Sequence, residues 1–139
     1  MNVEYNKAIA LRLATDGWGT VPGWEKVWDE LVAENMIQHF CSQAEPIYGL
    51  EANKAFQISL FQGFPQIEQK IEAVVAEDDK VVYFHTLQGA QTGIFMGIPP
   101  TGKWVKGTGF TMVRIVNSKI VEMWYETNLL EIMQQMGVI

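Results

Sequence analysis

The sequence has little of the side-chain chemistry from which metal centres and disulfide frameworks are built. Its single cysteine, Cys41, excludes an intrachain disulfide, so we expect a reducing compartment and a cytoplasmic protein. We interpret Cys41 as a small buried side chain, with a nucleophile as the alternative. The two histidines, His39 and His85, have no cysteine or carboxylate at metal-ligand spacing. We therefore expect no metal site.

Positive charge and long hydrophobic runs are also scarce. Ten basic residues against sixteen acidic ones give a formal charge of −6, which excludes the basic surface that nucleic-acid binding requires. No apolar run approaches the roughly 20 residues of a membrane span. Glu4, Lys7 and Arg12 interrupt the N-terminal apolar residues, so we expect no signal peptide. Phosphate-binding glycine loops and a Gly-x-Ser-x-Gly elbow are missing as well.

The hydrophobic residues, 48% of the chain, follow two periodicities. Helical spacing predicts helices over 1–14, 24–33, 50–62 and 129–136. Alternation and short apolar runs bounded by Gly, Pro and Asn predict strands over 36–40, 67–77, 81–87, 104–116 and 119–128. At 139 residues this is one domain, 1–139. Helices followed by a run of strands predict an α+β fold, a curved antiparallel sheet with helices on one face. The open end of such a cone is a natural small-molecule pocket.

Two segments resemble a known family. They are 89–103, Gly-Ala-Gln-Thr-Gly-Ile-Phe-Met-Gly-Ile-Pro-Pro-Thr-Gly-Lys, and 119–137, which begins Lys-Ile-Val-Glu-Met-Trp-Tyr-Glu-Thr-Asn. They resemble the hairpin and the last strand of the SnoaL-like polyketide cyclase (ester cyclase) family, and the order of elements fits from about residue 5 onward. The resemblance implies a nuclear transport factor 2-like cone. It also implies ring closure by intramolecular aldol condensation with no metal or organic cofactor.

The chain departs from the family pattern at two titratable positions. The family's general acid/base is an aspartate four residues after the last-strand tryptophan; here that tryptophan matches Trp124, and Asn128 stands in the acid position. Many members have a histidine where this chain has Gln91. An amide cannot abstract a proton, so the resemblance implies the fold and a pocket and weakens the expectation of cyclase activity.

Strict alternation on the last predicted strand places Glu122, Trp124, Glu126 and Asn128 on one face with Ile120. If Trp124 lines the cavity, Glu126 is the nearest carboxylate that can act as a base, with its pKa raised by apolar surroundings. The alternative is a solvated Glu126 at the rim.

His85 is the second candidate proton carrier, because it lies in the apolar run 81–87. The alternative is a core histidine bonded to a neighbouring carbonyl group. We expect Asn128 and Gln91 to orient the ligand. Trp124, Phe110 and Trp18 are expected to contribute apolar contacts, with Trp18 as a lid in the glycine-rich segment 15–23.

These patterns favour a protein that binds a hydrophobic, ring-containing carbonyl compound. Cofactor-free acid/base chemistry of the aldol, isomerase or hydration type would follow from Glu126 and His85. The alternative is a non-catalytic binding or sensing module that kept the pocket and lost the acid. The resemblance also implies a homodimer that pairs through sheet faces, and Val113 and Ile115 are predicted on the outer face that a second copy would cover.

Overall fold

The computed structural model describes residues 2–41 and 43–139, which form four helices and six strands. In chain order these are α1 (Val3–Asp16), α2 (Trp24–Leu31), β1 (Val32–Phe40), β2 (Ile47–Tyr48), α3 (Leu50–Phe61), β3 (Glu68–Glu77), β4 (Lys80–Ala90), β5 (Trp104–Val116), β6 (Lys119–Thr127) and α4 (Leu129–Met136). All predicted elements are present. The short β2 was not predicted, and β1 begins at Val32 rather than at Met36. No helix in the described ranges is long and apolar enough to span a membrane.

The strands form one sheet in the order β2-β1-β6-β5-β4-β3. The neighbours from β3 to β6 pair antiparallel, as predicted, but β1 runs parallel to β6, so the sheet is mixed. A parallel pair needs a crossover, and most of the chain between β1 and β6 supplies it. The inner face of the sheet packs against α1 and α2 in one large core cluster. The predicted α+β class is confirmed.

The first two helices are placed by their ends and by their apolar faces. The Asn2 side chain accepts a hydrogen bond of 3.0 Å from the backbone N–H of Tyr5 and caps α1. Four side chains of α2 are buried at helical spacing: Trp24, Val27, Trp28 and Leu31. The Trp28 indole Nε1 donates a 2.6 Å hydrogen bond to the carbonyl oxygen of Gly17, which ties the α1–α2 connection to α2.

A β-bulge in β6 reverses the alternation that the sequence predicts. Arg114 pairs with Glu122 while the next residue, Ile115, pairs with Ile120, so Val121 is an extra residue in β6. Because of this insertion Ile120 faces inward and Glu122 faces outward. The prediction that Ile120 and Glu122 share a face is therefore wrong.

A second bulge in β3 has the same effect. Ile71 pairs with His85 and Ala73 with Phe84, which leaves Glu72 as the extra residue. Beyond it, Val74 and Ala76 pack against the core, whereas Val75 is 64% exposed.

The predicted outward orientation of Val113 and Ile115 is also wrong. The two side chains are 0% and 4% exposed and belong to the core beneath α1 and α2. The outer face of β5 is formed by the alternate residues, among them Phe110 and Met112.

Gly109 in β5 leaves room for its neighbours on both sides. A Cβ atom built on it would lie 2.4 Å from the carbonyl oxygen of Glu126 and 2.9 Å from Cε1 of His85. The Glu126 contact is with backbone, which cannot move without breaking the β5–β6 ladder. Any larger residue therefore disturbs both the sheet and His85.

We predict that Gly109→Ala lowers the free energy of unfolding by about 2–4 kcal/mol, as expected for a backbone clash in a packed sheet. Gly107→Ala in the same strand is the matched control, because its Cβ would meet side-chain atoms and no backbone: Cδ1 and Cγ1 of Ile132 at 3.0 and 3.1 Å and Cδ1 of Leu87 at 3.5 Å. Neither glycine has a positive φ, so the two substitutions differ in the space available to the new Cβ atom and not in backbone strain. Urea unfolding of both variants measures the difference, and equal losses would contradict this account.

Candidate functional site

Two small cavities lie between the inner face of the sheet and the helices. The first lies under Trp18 and α3 and has a volume of about 40 Å³; the second lies toward α4 and has about 30 Å³. Each volume corresponds to roughly two or three water molecules, well below the roughly 300–1,000 Å³ of typical ligand pockets. Most of the predicted cone is thus filled by side chains, and a ring-sized ligand requires some of them to move.

Four side chains, called here the partition, line both cavities: Phe40, Leu60, Phe61 and Tyr125. Phe40 and Tyr125 stand on paired strands with their rings stacked 5.4 Å apart. Phe61, from the last turn of α3, meets the edge of Trp18 at 4.8 Å. One side of the partition is therefore held by the sheet and the other by a helix end.

The first cavity has a polar side formed by uncharged groups. These are Gln38, Gln57, Tyr83, Thr111 and Tyr125. Burial raises the pKa of Tyr83 to about 12, an effect that the Thr111 hydroxyl partly opposes, and burial also raises the pKa of Tyr125. Both phenols are therefore neutral hydrogen-bonding groups at physiological pH. The second cavity is almost wholly apolar, with Leu87, Phe95, Val105 and Ile132 in its wall.

Gln57 also holds the covering segment in place. Its side-chain Nε2 donates to the carbonyl oxygens of Gly17 and Gly19, each at 3.1 Å. The two bonded residues lie on either side of Trp18 in the chain, and Trp18 lines the first cavity. Of the residues predicted to bind the ligand, Trp18 is the one that lines either of these two cavities.

His85 lies on the inner face of β4 between Tyr83, which lines the first cavity, and Leu87, which lines the second. It is fully buried, its ring stacks on Tyr125 at 5.4 Å, and its Nε2 lies 3.2 Å from the Thr111 hydroxyl. Among the described residues, its Nδ1 has no hydrogen-bond partner. Burial lowers the pKa of His85 to about 4, so the imidazole is neutral at physiological pH. His85 does not line the first cavity itself, and its hydrogen-bonding link to that cavity is the Thr111 hydroxyl.

The predicted inward orientation of Trp124 is wrong. Its ring lies on the outer face, stacked on His39 at 5.2 Å, because the bulge at Val121 shifts the alternation by one residue. His39 Nε2 lies 2.7 Å from Glu122. Burial opposes ionisation of Glu122, but hydrogen bonds from His39 and Arg114 outweigh it and lower the pKa of this carboxyl.

The same shift moves Glu126 out of the predicted site, and the regular alternation of β5 places Phe110 on the same outer face. The two residues pair across β6 and β5, and both are exposed on the outer face. Phe110 packs against Phe84 at 4.9 Å, away from both cavities. The exposed position of Glu126 therefore fits the alternative interpretation, a solvated carboxylate.

Asn128 acts in the structure as a helix cap. Its side-chain oxygen accepts from the backbone N–H of Glu131 at 3.3 Å, and its Nδ2 donates to the Glu131 carboxylate at 2.7 Å. Strand β6 ends one residue earlier, at Thr127, and asparagine is favoured at an N-cap. Asn128 lines neither cavity, and its contact with a ligand stays a prediction.

Gln91 is fully buried and holds the 91–103 loop together. Its Nε2 donates to three carbonyl oxygens, each at 3.1 Å: those of Gly93, Ile98 and Pro99. Its Oε1 accepts from the backbone N–H and the hydroxyl of Thr101 at 3.0 and 2.7 Å. The loop in turn places Phe95 in the wall of the second cavity. Gln91 shapes that cavity without reaching it.

Sequence reasoning missed Gln38, Thr111 and Tyr125, which line the first cavity. Thr111 and Tyr125 were assigned to strands, but the face of Tyr125 depends on a bulge that no motif marks, and Thr111 lies on β5, whose inner face was assigned wrongly. The sequence could have identified Gln38, because it lies two residues from both Met36 and Phe40 and so shares their buried face of β1. In the part of the chain that the structure describes, no three His, Cys, Asp or Glu side chains are placed to hold a metal ion.

Comparison with known proteins places these features in a family. The family model of the SnoaL-like polyketide cyclases matches residues 8–136. A candidate SnoaL-like polyketide cyclase from Jannaschia sp. CCS1 is 36% identical, covers 99% of this chain and 94% of its own, and superimposes with a TM-score of 0.94. No curated protein matches the sequence.

Two more distant structures show how widely the fold is shared. AclR, a candidate hydroxylase from Streptomyces galilaeus, is 19% identical with a TM-score of 0.84, and the match covers 99% of each chain. An NTF2-like protein from Burkholderia xenovorans LB400 is 14% identical with a TM-score of 0.76 over 98% of each chain. The match over residues 8–136 and the 36% identity establish that this chain belongs to the SnoaL-like polyketide cyclase family and has the NTF2-like fold.

Proposed function

We propose that the protein binds a hydrophobic carbonyl compound between α3 and the inner face of the sheet. The observation that carries this proposal is the first cavity, where uncharged polar side chains stand among apolar ones. Such a mixture suits a ligand that is mostly apolar and has a few hydrogen-bonding atoms. Because the cavity is small, ligand entry requires displacement of the partition side chains, of which Phe61 and Leu60 lie on the helix end.

We propose in addition that a bound carbonyl compound exchanges a proton with His85 through Thr111. Burial makes the neutral imidazole a weak base, so His85 holds a proton only transiently during exchange; its Nε2 lies 3.2 Å from the hydroxyl of Thr111, which lines the first cavity. The neutral phenols of Tyr83 and Tyr125 can donate hydrogen bonds to an enolate oxygen that forms in the cavity. This arrangement provides acid/base chemistry of the aldol or isomerase type without Glu126 or Asn128.

A test uses 2-tetralone, a two-ring ketone with acidic C–H groups beside its carbonyl. We expect the protein to accelerate exchange of those protons for deuterium, measured by NMR. His85→Gln and Thr111→Val should each lower the rate about a hundredfold, the usual scale for a lost acid/base group. Thr111→Ser, which keeps the hydroxyl, should restore most of it. Glu126→Gln should leave the rate within about twofold of that of the wild type.

The same measurement separates the alternatives. Saturable binding of 2-tetralone with no accelerated exchange would favour a non-catalytic binding or sensing module. Loss of exchange in Glu126→Gln, with His85→Gln unaffected, would contradict the role proposed for His85.

The low pKa of His85 also predicts how stability depends on pH. The unfolded chain takes up a proton on this histidine below about pH 6.5, but the folded chain does so only near pH 4. Stability is therefore full above pH 6.5 and is lost as the pH falls to 4, by about 3 kcal/mol at roughly 1.4 kcal/mol per pKa unit. Urea unfolding at pH 8 and pH 4 should show a loss about 3 kcal/mol larger in the wild type than in His85→Gln. Other groups, such as Glu122, contribute to both proteins and cancel. Equal losses would contradict a buried neutral His85.

We also propose that two copies pair through the outer face of the sheet. Its centre is an apolar patch of Phe84, Phe110, Met112 and Trp124, in which Phe110 is 54% exposed. Beside the patch lie Arg114 and the oppositely charged Glu122, which also contacts His39. A twofold contact between two such faces can bury the aromatic rings and bring opposite charges together.

Sedimentation equilibrium should show a dimer at micromolar concentration. Phe110→Glu should shift it to monomer, since an unpaired carboxylate in a buried interface is costly. Tyr5→Glu makes the same kind of change at an aromatic side chain that is 51% exposed on α1, and should leave the dimer intact. A monomeric wild type, or a Phe110→Glu variant that remains dimeric, would show that this face is not the interface.

A further inference from the structure

We propose that Gln38 recognises an oxygen atom of the ligand, and that the ligand is an uncharged molecule whose apolar end extends past Phe61 into the second cavity. This inference rests on the binding function proposed above and names the class of ligand. It assigns a specificity-determining contact to a residue that neither the sequence motifs nor the family pattern identifies.

Gln38 is a polar side chain with unused hydrogen-bonding capacity. It is only 7% exposed and lines the first cavity. Throughout residues 2–41 and 43–139, its amide makes no hydrogen bond to another residue, although a buried amide without partners costs about 1–3 kcal/mol. Neither amide atom belongs to the fully enclosed, unbonded side-chain atoms of the described residues, in contrast to Nδ1 of His85, so each keeps some accessible surface. The group is thus positioned to bond to whatever occupies the cavity.

The other buried glutamines are already engaged. Gln57 donates to two backbone carbonyl oxygens, and Gln91 makes five hydrogen bonds within its own loop. An amide presents two donor hydrogens and one acceptor oxygen, so Gln38 suits a carbonyl or hydroxyl group.

The charge of the ligand follows from the lining. Within the described residues, neither cavity is lined by a lysine, arginine, aspartate or glutamate. A carboxylate or ammonium group would be buried there without a counter-charge, at a cost of several kcal/mol. The lining therefore selects against charged ligands, and the polar end of a neutral one is directed to Gln38 and Thr111.

The length of the ligand follows from the partition. Phe40 and Tyr125 are fixed by the sheet, whereas Phe61 ends a helix and is followed by the 62–67 turn. Movement of the Phe61 ring joins the polar first cavity to the apolar second one. A ligand with an oxygen at one end and a hydrophobic ring at the other matches the joined space.

The test compares three probes of nearly equal size: acetophenone, ethylbenzene and benzoate. Protein NMR titrations should show acetophenone binding about five- to tenfold more tightly than ethylbenzene, as one net hydrogen bond provides. Benzoate should show no saturable binding. In Gln38→Leu, ethylbenzene affinity should stay within about twofold while the preference for the ketone disappears. Gln88→Leu, a glutamine change on the outer face of β4, is the matched control and should retain the preference.

The outcomes distinguish a failure of this inference from a failure of the binding function on which it rests. If no probe binds, both fail. If acetophenone and ethylbenzene bind but Gln38→Leu keeps the preference, the cavity binds ligands and Gln38 is not the contact. Tighter binding of benzoate would overturn the assignment to uncharged ligands.

A second measurement examines the partition with 2-acetylnaphthalene, which has one more ring than acetophenone. Phe61→Leu should raise the affinity for the two-ring ketone at least fivefold while changing that for acetophenone by less than about twofold. Phe56→Leu makes the same substitution at a residue that lines only the first cavity and should produce no such gain. Equal responses of the two variants would contradict a ligand that spans both cavities.

Discussion

The register between β5 and β6 is the constraint on which the rest of this structure depends. The extra residue at Val121 turns Tyr125 inward and Trp124 outward. Tyr125 then stands in a cross-strand row with Thr111 and Tyr83, which gives the first cavity its hydroxyl groups. One inserted residue therefore decides which side chains face the core, which face solvent and which can meet a ligand.

Burial without counter-charges determines the chemistry available inside. It lowers the pKa of His85 and raises those of Tyr83 and Tyr125, so all three groups are neutral at physiological pH. A neutral imidazole can accept a proton and a neutral phenol can donate a hydrogen bond, which is the division of roles that enolate chemistry uses. The charged side chains of the sheet, such as Glu122 and Arg114, stay on the outer face and pair with each other.

The sequence was sufficient for the longer elements, the α+β class and the family, because long periodic segments and the 89–103 motif are local signals. It was insufficient for the short β2, for the parallel pairing of β1 with β6 and for the faces of three strands. In β5 the alternation is regular, and the inward position of Val113 and Ile115 depends on which face the helices cover. Alternation predicts orientation only while the ladder is regular, and the bulges at Glu72 and Val121 each shift it by one residue. Asn128 illustrates a second reason why the sequence was insufficient. An asparagine is suited both to a helix cap and to a ligand contact. The end of β6 at Thr127 makes Asn128 the cap of α4, and the sequence does not mark that end. The filling of the cone depends on how side chains pack in three dimensions, which no spacing in the sequence encodes.

Two amides stand at positions where the family pattern described in the sequence analysis implies titratable residues, and both have structural roles. Asn128 starts α4, and Gln91 ties together the loop that carries Phe95. A charged residue at either place would disturb those contacts: a carboxylate at position 91 would face three carbonyl oxygens that now accept from an amide. The lack of a titratable group at positions 91 and 128 is therefore coupled to the present shape of the second cavity. The recognition and proton transfer proposed above therefore use the groups around the first cavity, where the Gln38 amide has no hydrogen-bond partner among the described residues.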